Sequence, residues 1–201
     1  LEKRGSPYAN YDTRSSSGSG GFGGLYLGET WRGNHGHHAV ESTRGLVNGR
    51  HRNHPMMQGV SGDIWGPTDV YQVDELPDEA VVLAYGQVLK GMKPGDPPNF
   101  DKPVMPMIWA WERPANFKKA RVVTSTIGAS EDLASEDLRR IIVNGVYWCL
   151  NMEDKIPEKS DVDYVDPYEP STFGRNKFRK GLKPKDYALG KGVTQEKAET
   201  E

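Results

Sequence analysis

Groups able to transfer protons or bind metals concentrate in one short segment, residues 29–41. Glu29 and Glu41 stand near its two ends, and three of the chain's five histidines fall within four positions between them. These histidines are His35, His37 and His38. Because imidazole changes protonation near neutral pH and binds divalent metals, acid/base chemistry or metal ligation is expected here. Neighbouring glycines would let the backbone approach a ligand closely.

Two interpretations of these histidines are open. In the first, His35 and His38 supply acid/base or ligating nitrogens to a sugar or another small molecule. In the second, the rings bond backbone carbonyls or face water. The spacing matches no compact zinc motif, because adjacent residues diverge on a strand or a helix. We therefore predict His35 and His38 as catalytic residues and assign no metal ligand, while the identity of any cofactor stays open.

A carboxylate and a phenol alternate on one face of a predicted strand at residues 69–73. Asp69 and Tyr71 could share a ligand there, since residues two apart on a strand point the same way. We predict that Asp69 is the third catalytic residue, orienting one of the histidines, and that Tyr71 contacts substrate. A pair on the protein surface without a ligand is the alternative.

Four further residues are predicted to bind substrate. Trp31 and Trp65 lie in predicted loops, where flat rings could stack on sugars, whereas Trp109 is expected in the core. Arg44 could anchor a substrate, and an ion pair with a loop carboxylate is the alternative. Thr126 lies at the end of a strand before a helix, where open α/β sheets commonly bind ligands.

Other candidate motifs are given structural roles or set aside. Residues 18–23 match the spacing of a dinucleotide-binding loop but lack the hydrophobic strand that must precede it. His54 stands before Pro55 and is predicted to cap a helical turn. The only cysteine, Cys149, is predicted to be a small core residue.

The composition limits the partners that the chain can have. Its net charge of -2 provides no basic excess for nucleic acid, and no run of 18 apolar residues could span a membrane. We expect a carbohydrate or another small molecule as ligand. The sequence leaves open whether the chain forms a homo-oligomer. The compartment also stays open between cytoplasm and exterior, because any signal peptide would precede residue 1.

Hydrophobic periodicity and turn signals predict an α/β protein with several strands and one long helix. The strand at 104–111 contains Pro106, which places it at an edge or around a bulge. The helix should begin after Ser135 as N-cap and end near Asn151. The predicted strands are 42–47, 69–73, 80–89, 104–111 and 120–127, the helical turns 22–27 and 54–60, and the loops 62–67 and 90–103.

The chain is predicted to form one domain at residues 1–156 and an extended polar tail at 157–201. Phe173, Phe178 and Tyr187 would insert singly into the domain, and the last ten residues would be disordered. One helix covers only one face of a sheet, whereas strand 80–89 is apolar enough to be buried on both. We therefore expect an N-terminal half, absent before Leu1, or another chain to cover the second face.

The order of these segments resembles the C-terminal part of ThuA-like (trehalose-utilisation) domains, in the class I glutamine amidotransferase-like superfamily. The resemblance covers roughly residues 5–190, and it rests on the order of the motifs rather than on any single one. The matching segments are residues 33–38, 54–60, 68–71, 106–109, 121–128 and 139–148, with 173–174 and 180–184 in the tail.

The resemblance implies a flavodoxin-like three-layer sandwich whose first strands lie before Leu1. It also implies a role in the utilisation of trehalose or a related glycoside. Amidotransferases of the superfamily carry a nucleophilic cysteine on a strand-to-helix elbow, which Cys149 does not match. Many members have a histidine where this chain has Ala129, so that residue's role cannot be transferred.

Three functional hypotheses follow. The first is a sugar-processing enzyme, such as a hydrolase, that uses histidine acid/base or metal-assisted chemistry. The second is a non-catalytic carbohydrate-binding or accessory module in which Trp31 and Trp65 matter and the histidines do not. The third is a fragment that is inactive without its N-terminal half.

Overall fold

A computed structural model of the chain describes residues 7–13, 20–113, 120–172 and 181–188. Its main elements are β1 (Thr43–Val47), β2 (Ile64–Gly66), β3 (Val81–Val88), β4 (Met105–Arg113), β5 (Ala120–Ser125) and α1 (Glu136–Cys149). A π-helical turn spans Gly23–Leu27, and 3-10 turns span Ala9–Tyr11, Gly49–His51, Pro55–Met57, Asp132–Ala134, Glu153–Lys155 and Pro184–Tyr187. The predicted mixed α/β class is confirmed.

The five strands form one sheet in the order β2-β1-β3-β4-β5. Every neighbouring pair is antiparallel. Four of the predicted strands are therefore confirmed as β1, β3, β4 and β5, with ends shifted by a few residues. Pro106 was predicted to lie at an edge or around a bulge. The edge is wrong, because β4 is an inner strand, and the bulge is confirmed, because the β3–β4 register shifts at Ala84, next to the pairing of Tyr85 with Pro106.

Two predictions along residues 62–73 were wrong. Residues 62–67 were predicted as loop but contain β2, whose three residues pair with β1. Residues 69–73 were predicted as a strand, yet this segment holds an isolated bridge between Tyr71 and Asn34. The carbonyl of Val70 accepts from two successive amides of the histidine segment, and this pattern does not continue as a regular ladder.

The sheet is covered on both faces at β5. On one side α1 packs so closely that a Cβ added to Gly145 would lie 3.3 Å from Val123. On the other side, Thr124 Oγ1 donates to the carbonyl oxygen of Leu27 at 2.9 Å. Because consecutive residues of a strand point to opposite faces, α1 and the Gly23–Leu27 turn lie on opposite sides of β5.

The helix α1 has the predicted cap and packs on a buried core. Ser135 Oγ accepts from Leu138 N at 3.4 Å, as expected of an N-cap. Leu138 and Ile141 are fully buried with Met56, Leu83 and other core residues. None of the helices in the described part of the chain is long and apolar enough to cross a membrane.

The sheet curls, so that the end of β2 lies against the residues that follow β5. A Cβ added to Gly66, at the end of β2, would lie 2.6 Å from Ile127 Cδ1, just after β5. The fully buried carboxylate of Asp132 closes this junction. It accepts from Thr68 Oγ1 at 2.7 Å and from Gly128 N at 2.9 Å, joining the loops that follow β2 and β5.

After α1 the chain runs back along the helix. Ser160 Oγ donates to buried Asn144 Oδ1 at 2.6 Å, and Tyr164 stacks on Tyr168 with ring centroids 4.6 Å apart. Tyr187 was predicted to insert into the domain, but its side chain is 63% exposed. Phe173, Phe178 and the last ten residues, which also carried predictions, lie outside the described residues.

The predicted capping role of His54 is confirmed and has a measurable pH signature. His54 Nδ1 accepts from Met56 N at 3.3 Å, which requires an unprotonated Nδ1. Burial, followed by the positive charges of His51 and Arg121, lowers the pKa of His54. The unfolded chain therefore binds more protons, so this contribution to stability is complete above the unfolded pKa and declines as the pH falls through it.

We expect His54→Asn to keep the cap and remove this titration. The unfolding free energy of the wild type, minus that of His54→Asn, should fall as the pH is lowered from about 7.5 to about 5.5. Urea denaturation at several pH values measures the difference. His54→Ala removes the acceptor and should cost about 1 kcal/mol at neutral pH. A difference that stays constant with pH would contradict the assignment.

Candidate functional site

Two residues predicted to be catalytic are in direct contact. His38 Nδ1 lies 2.9 Å from Asp69 Oδ1. The Asp69 side chain is 5% exposed and that of His38 is 52% exposed. A buried carboxylate thus holds a histidine ring whose outer part reaches solvent. The structure brings these two residues together from positions 31 apart in sequence.

Both neighbours of Asp69 are held by hydrogen bonds. Thr68 is fixed by Asp132, and its carbonyl oxygen accepts from Thr43 Oγ1 at 2.6 Å. The carbonyl oxygen of Val70 accepts from His35 N at 2.8 Å and Gly36 N at 3.0 Å. The start of β1, the loop after β5 and the histidine segment therefore all fix the position of this carboxylate.

Gly36 allows the histidine segment to lie against Asp69. A Cβ added at Gly36 would be 3.1 Å from Asp69 Cβ and 3.2 Å from Val70 N. Most Cβ contacts are longer than this, so any side chain at position 36 would push the two segments apart. The glycine in the motif is thus explained by a close backbone approach.

The contact with Asp69 determines which nitrogen of His38 is basic. An ionised carboxylate can only accept, so His38 Nδ1 carries the proton and donates it. The neutral ring then has its lone pair on Nε2, the arrangement that a carboxylate imposes on the histidine of a catalytic triad. A histidine oriented in this way can accept a proton at Nε2.

The second oxygen of Asp69 is the unusual feature of this pair. Asp69 Oδ2 is buried and has no hydrogen-bond partner among the described residues. A buried polar atom left without a partner typically costs about 1–3 kcal/mol, more when charged. Such atoms call for an explanation, and a donor from a bound ligand or water would supply one here.

His35 makes a different kind of contact. Its Nε2 lies 2.8 Å from the carbonyl oxygen of Pro103, which can only accept, so Nε2 carries the proton. This bond to a backbone carbonyl is the second interpretation given for the histidines. It ties the histidine segment to the loop before β4. His35 and His38 are therefore held as opposite tautomers.

The two glutamates of the segment bind backbone and side-chain donors. Buried Glu41 accepts from Lys102 Nζ at 2.6 Å and Asn99 Nδ2 at 2.8 Å. Burial alone would raise the pKa of Glu41, but these bonds outweigh it and leave the pKa lowered. Glu29 accepts from Thr30 N at 2.7 Å and Asp74 N at 3.1 Å. Both carboxylates position the segment.

Within the described ranges, no three His, Cys, Asp or Glu residues are grouped so that they could hold a metal ion.

Four of the five residues predicted to bind substrate fall into two regions. Trp31 is 61% exposed and belongs to the histidine segment, while Tyr71 is 37% exposed and pairs with Asn34. Arg44 and Trp65 instead face each other across β1 and β2. Trp65 lines a separate cleft of about 440 Å³ whose lining contains neither His38 nor Asp69.

Arg44 forms the ion pair that was the alternative to substrate anchoring. Its guanidinium lies 3.0 Å from Asp63 Oδ1 and also donates to the carbonyl oxygen of Pro94. The pair is not deeply buried, because the Asp63 side chain is 85% exposed. Thr126 extends the pairing with β4, its amide donating to the carbonyl oxygen of Met107 at 2.9 Å.

Sequence reasoning missed Asp132 as a determinant of the site. Its carboxylate accepts four hydrogen bonds, from both the amide and hydroxyl of Thr68 and from the amides of Gly128 and Ala129. The local signal was an aspartate three and four residues after a pair of small residues, which favours a turn. No pattern in the sequence indicated its long-range contact with Thr68.

Comparisons of the chain with protein-family models, curated proteins and solved structures find no match.

The assigned tautomers can be measured directly. We expect long-range 1H–15N NMR spectra at slightly alkaline pH to show the proton on Nδ1 for His38 and on Nε2 for His35. Asp69→Ala should remove the preference of His38 and leave His35 unchanged, because only His38 contacts that carboxylate. A wild-type His38 with its proton on Nε2 would contradict the pair.

Proposed function

We propose that the chain is a ThuA-like, sugar-processing enzyme domain in which His38 is the general acid/base and Asp69 orients it. The observation that carries the proposal is the 2.9 Å contact between His38 Nδ1 and a carboxylate that is 5% exposed. In a chance ion pair on the surface both partners would be exposed. Asp69 is instead buried and held in place by three separate segments. Nor would a chance pair leave a buried carboxylate oxygen without a donor.

The proposed chemistry uses the side of the ring away from Asp69. His38 Nε2 takes a proton from a substrate hydroxyl or an attacking water and returns it to the leaving oxygen. Asp69 holds the ring in the required tautomer and stabilises the imidazolium that forms between the two steps. Asp69 Oδ2 would accept a hydrogen bond from the bound substrate or water.

The substrate class in this proposal comes from two sources. The resemblance to ThuA-like domains suggests trehalose or a related glycoside. The exposed aromatic side chains of Trp31 and Tyr71, on the two segments that carry the pair, are suited to contact the apolar surface of a sugar ring. His35, bonded to Pro103, would then hold the segment in place rather than transfer protons.

The finer fold assignment also belongs to this proposal. In a flavodoxin-like sandwich the central strands are parallel, whereas the described sheet is antiparallel throughout. The antiparallel pairing does not support this assignment, so the proposal that the described residues correspond to the C-terminal part of such a domain rests on the order of the resembling motifs alone.

The acid/base role predicts a specific pattern of activity. With trehalose and a panel of nitrophenyl glycosides as substrates, His38→Ala should lower kcat/KM by roughly 100- to 10,000-fold. Asp69→Asn should lower it substantially while keeping the size of the side chain. His37→Ala is the matched control, because its exposed ring is the immediate neighbour and should leave the rate unchanged. Full activity in His38→Ala would overturn the assignment.

A non-catalytic carbohydrate-binding module is the second candidate, favoured by the 61% exposure of Trp31. In that case trehalose binding, followed by thermal shift or calorimetry, should survive His38→Ala and be lost in Trp31→Ala with Trp65→Ala. A bound ligand raises stability by RT ln(1 + [L]/Kd), so the shift reports binding without turnover. Binding lost with His38 and retained without the tryptophans would reject the module.

A further inference from the structure

A second concave site lies at the start of α1, apart from the His38–Asp69 pair. Its volume of about 440 Å³ falls within the roughly 300–1,000 Å³ range of small-molecule sites. It is formed by the loop around β2, the first turn of α1 and parts of two other loops. Its lining residues are Gly59, Ser61, Asp63, Trp65, Pro94, Ala134, Ser135, Glu136, Asp137, Arg140 and Lys159.

Trp65 gives this cleft an apolar wall. The residue is half-buried, and its indole Nε1 donates to Ser42 Oγ at 3.2 Å. Because the single polar atom of the ring is already satisfied, the rest of the indole can offer only apolar surface to a ligand. Flat aromatic surface of this kind packs against ligands that carry one apolar face.

The charged groups of the cleft balance one another. The acids Asp63, Glu136 and Asp137 line it together with the bases Arg140 and Lys159. Arg44 does not line the cleft, but its guanidinium pairs with Asp63 and balances the remaining negative charge. A ligand with net charge would therefore meet no opposite excess. A neutral ligand bearing several hydroxyl groups could donate to the carboxylates and accept from the cations.

Part of this polar surface is accessible to a ligand. The side chains of Asp63, Glu136 and Lys159 are 85%, 53% and 66% exposed. Asp63 and Lys159 each already have one partner and Glu136 has two, but a carboxylate accepts about four hydrogen bonds and an ammonium donates three. The carboxylates and the ammonium group can therefore form further hydrogen bonds with ligand hydroxyls.

The floor of the cleft is held by several hydrogen bonds and an ion pair. Asp137 Oδ2 accepts from Ser61 Oγ and Gly62 N, both at 2.7 Å, and from Asp63 N at 2.9 Å. Burial would raise the pKa of Asp137, but these hydrogen bonds outweigh it and leave the pKa lowered. Buried Arg140 lies 3.2 Å from Asp137 Oδ1. A floor held in this way costs little to order when a ligand binds.

We propose that this cleft binds a neutral polyhydroxylated ligand, namely a short saccharide that packs one face on Trp65. Its hydroxyl groups bond Asp63, Glu136 and Lys159. The site is separate from the acid/base pair and does not depend on the function proposed for that pair.

Titration of the 15N-labelled full chain with maltose, followed by 1H–15N NMR, tests this site. We expect shifts at Ser61, Asp63, Ser135 and the Trp65 indole. Trp65→Ala should weaken binding about tenfold or more, equivalent to about 1.4 kcal/mol, and Trp65→Phe should restore most of it. Trp31→Ala is the matched aromatic control and should leave the cleft shifts unchanged.

Two variants and a comparison of ligands complete the test. Asp63→Ala, at an 85% exposed side chain, should weaken binding without unfolding the protein. The same titration in His38→Ala should give the same cleft shifts, which separates this inference from the acid/base proposal. Glucose 6-phosphate and glucosamine should bind more weakly than glucose. Tighter binding of either charged sugar, or maltose shifts absent from the cleft residues, would overturn the proposal.

Discussion

The arrangement of this protein depends on one buried carboxylate, that of Asp132. β2 and β5 are the two edges of an antiparallel sheet, and the loops that follow them meet only because the sheet curls. Asp132 is fully buried and binds the amide and hydroxyl of Thr68 together with the amides of Gly128 and Ala129. Without these donors the buried carboxylate would lack hydrogen-bond partners, which is destabilising.

The candidate site follows from this junction. Because Thr68 is fixed, Asp69 projects from a rigid position and can orient His38 while remaining buried. Rigid supporting contacts favour catalysis, because no free energy is then needed to order the catalytic groups when substrate binds. The cleft beside α1 is organised by the same principle, with Asp137 binding the loop from Ser61 to Asp63.

Local patterns predicted much of this structure. The α1 helix, its Ser135 cap, the His54 cap and four strands each follow from residues close together in sequence. Asp69 was also chosen as a partner for a histidine. What could not be predicted depends on pairing across the chain: the short β2, the contact of Asp132 with Thr68, and the bond of His35 to Pro103. The separation of Trp65 and Arg44 from the histidines could not be predicted either, because sequence order alone does not set how a sheet curls.

The most direct test of this account is backbone amide hydrogen exchange at Thr68, Gly128 and Ala129, in the wild type and in Asp132→Asn. If one carboxylate joins the two edges, all three amides are protected in the wild type and exchange faster together in the variant. Asparagine cannot satisfy all four donors, because one of its side-chain groups is itself a donor. Rapid exchange of Thr68 in the wild type, or a change confined to Gly128 and Ala129, would contradict the account.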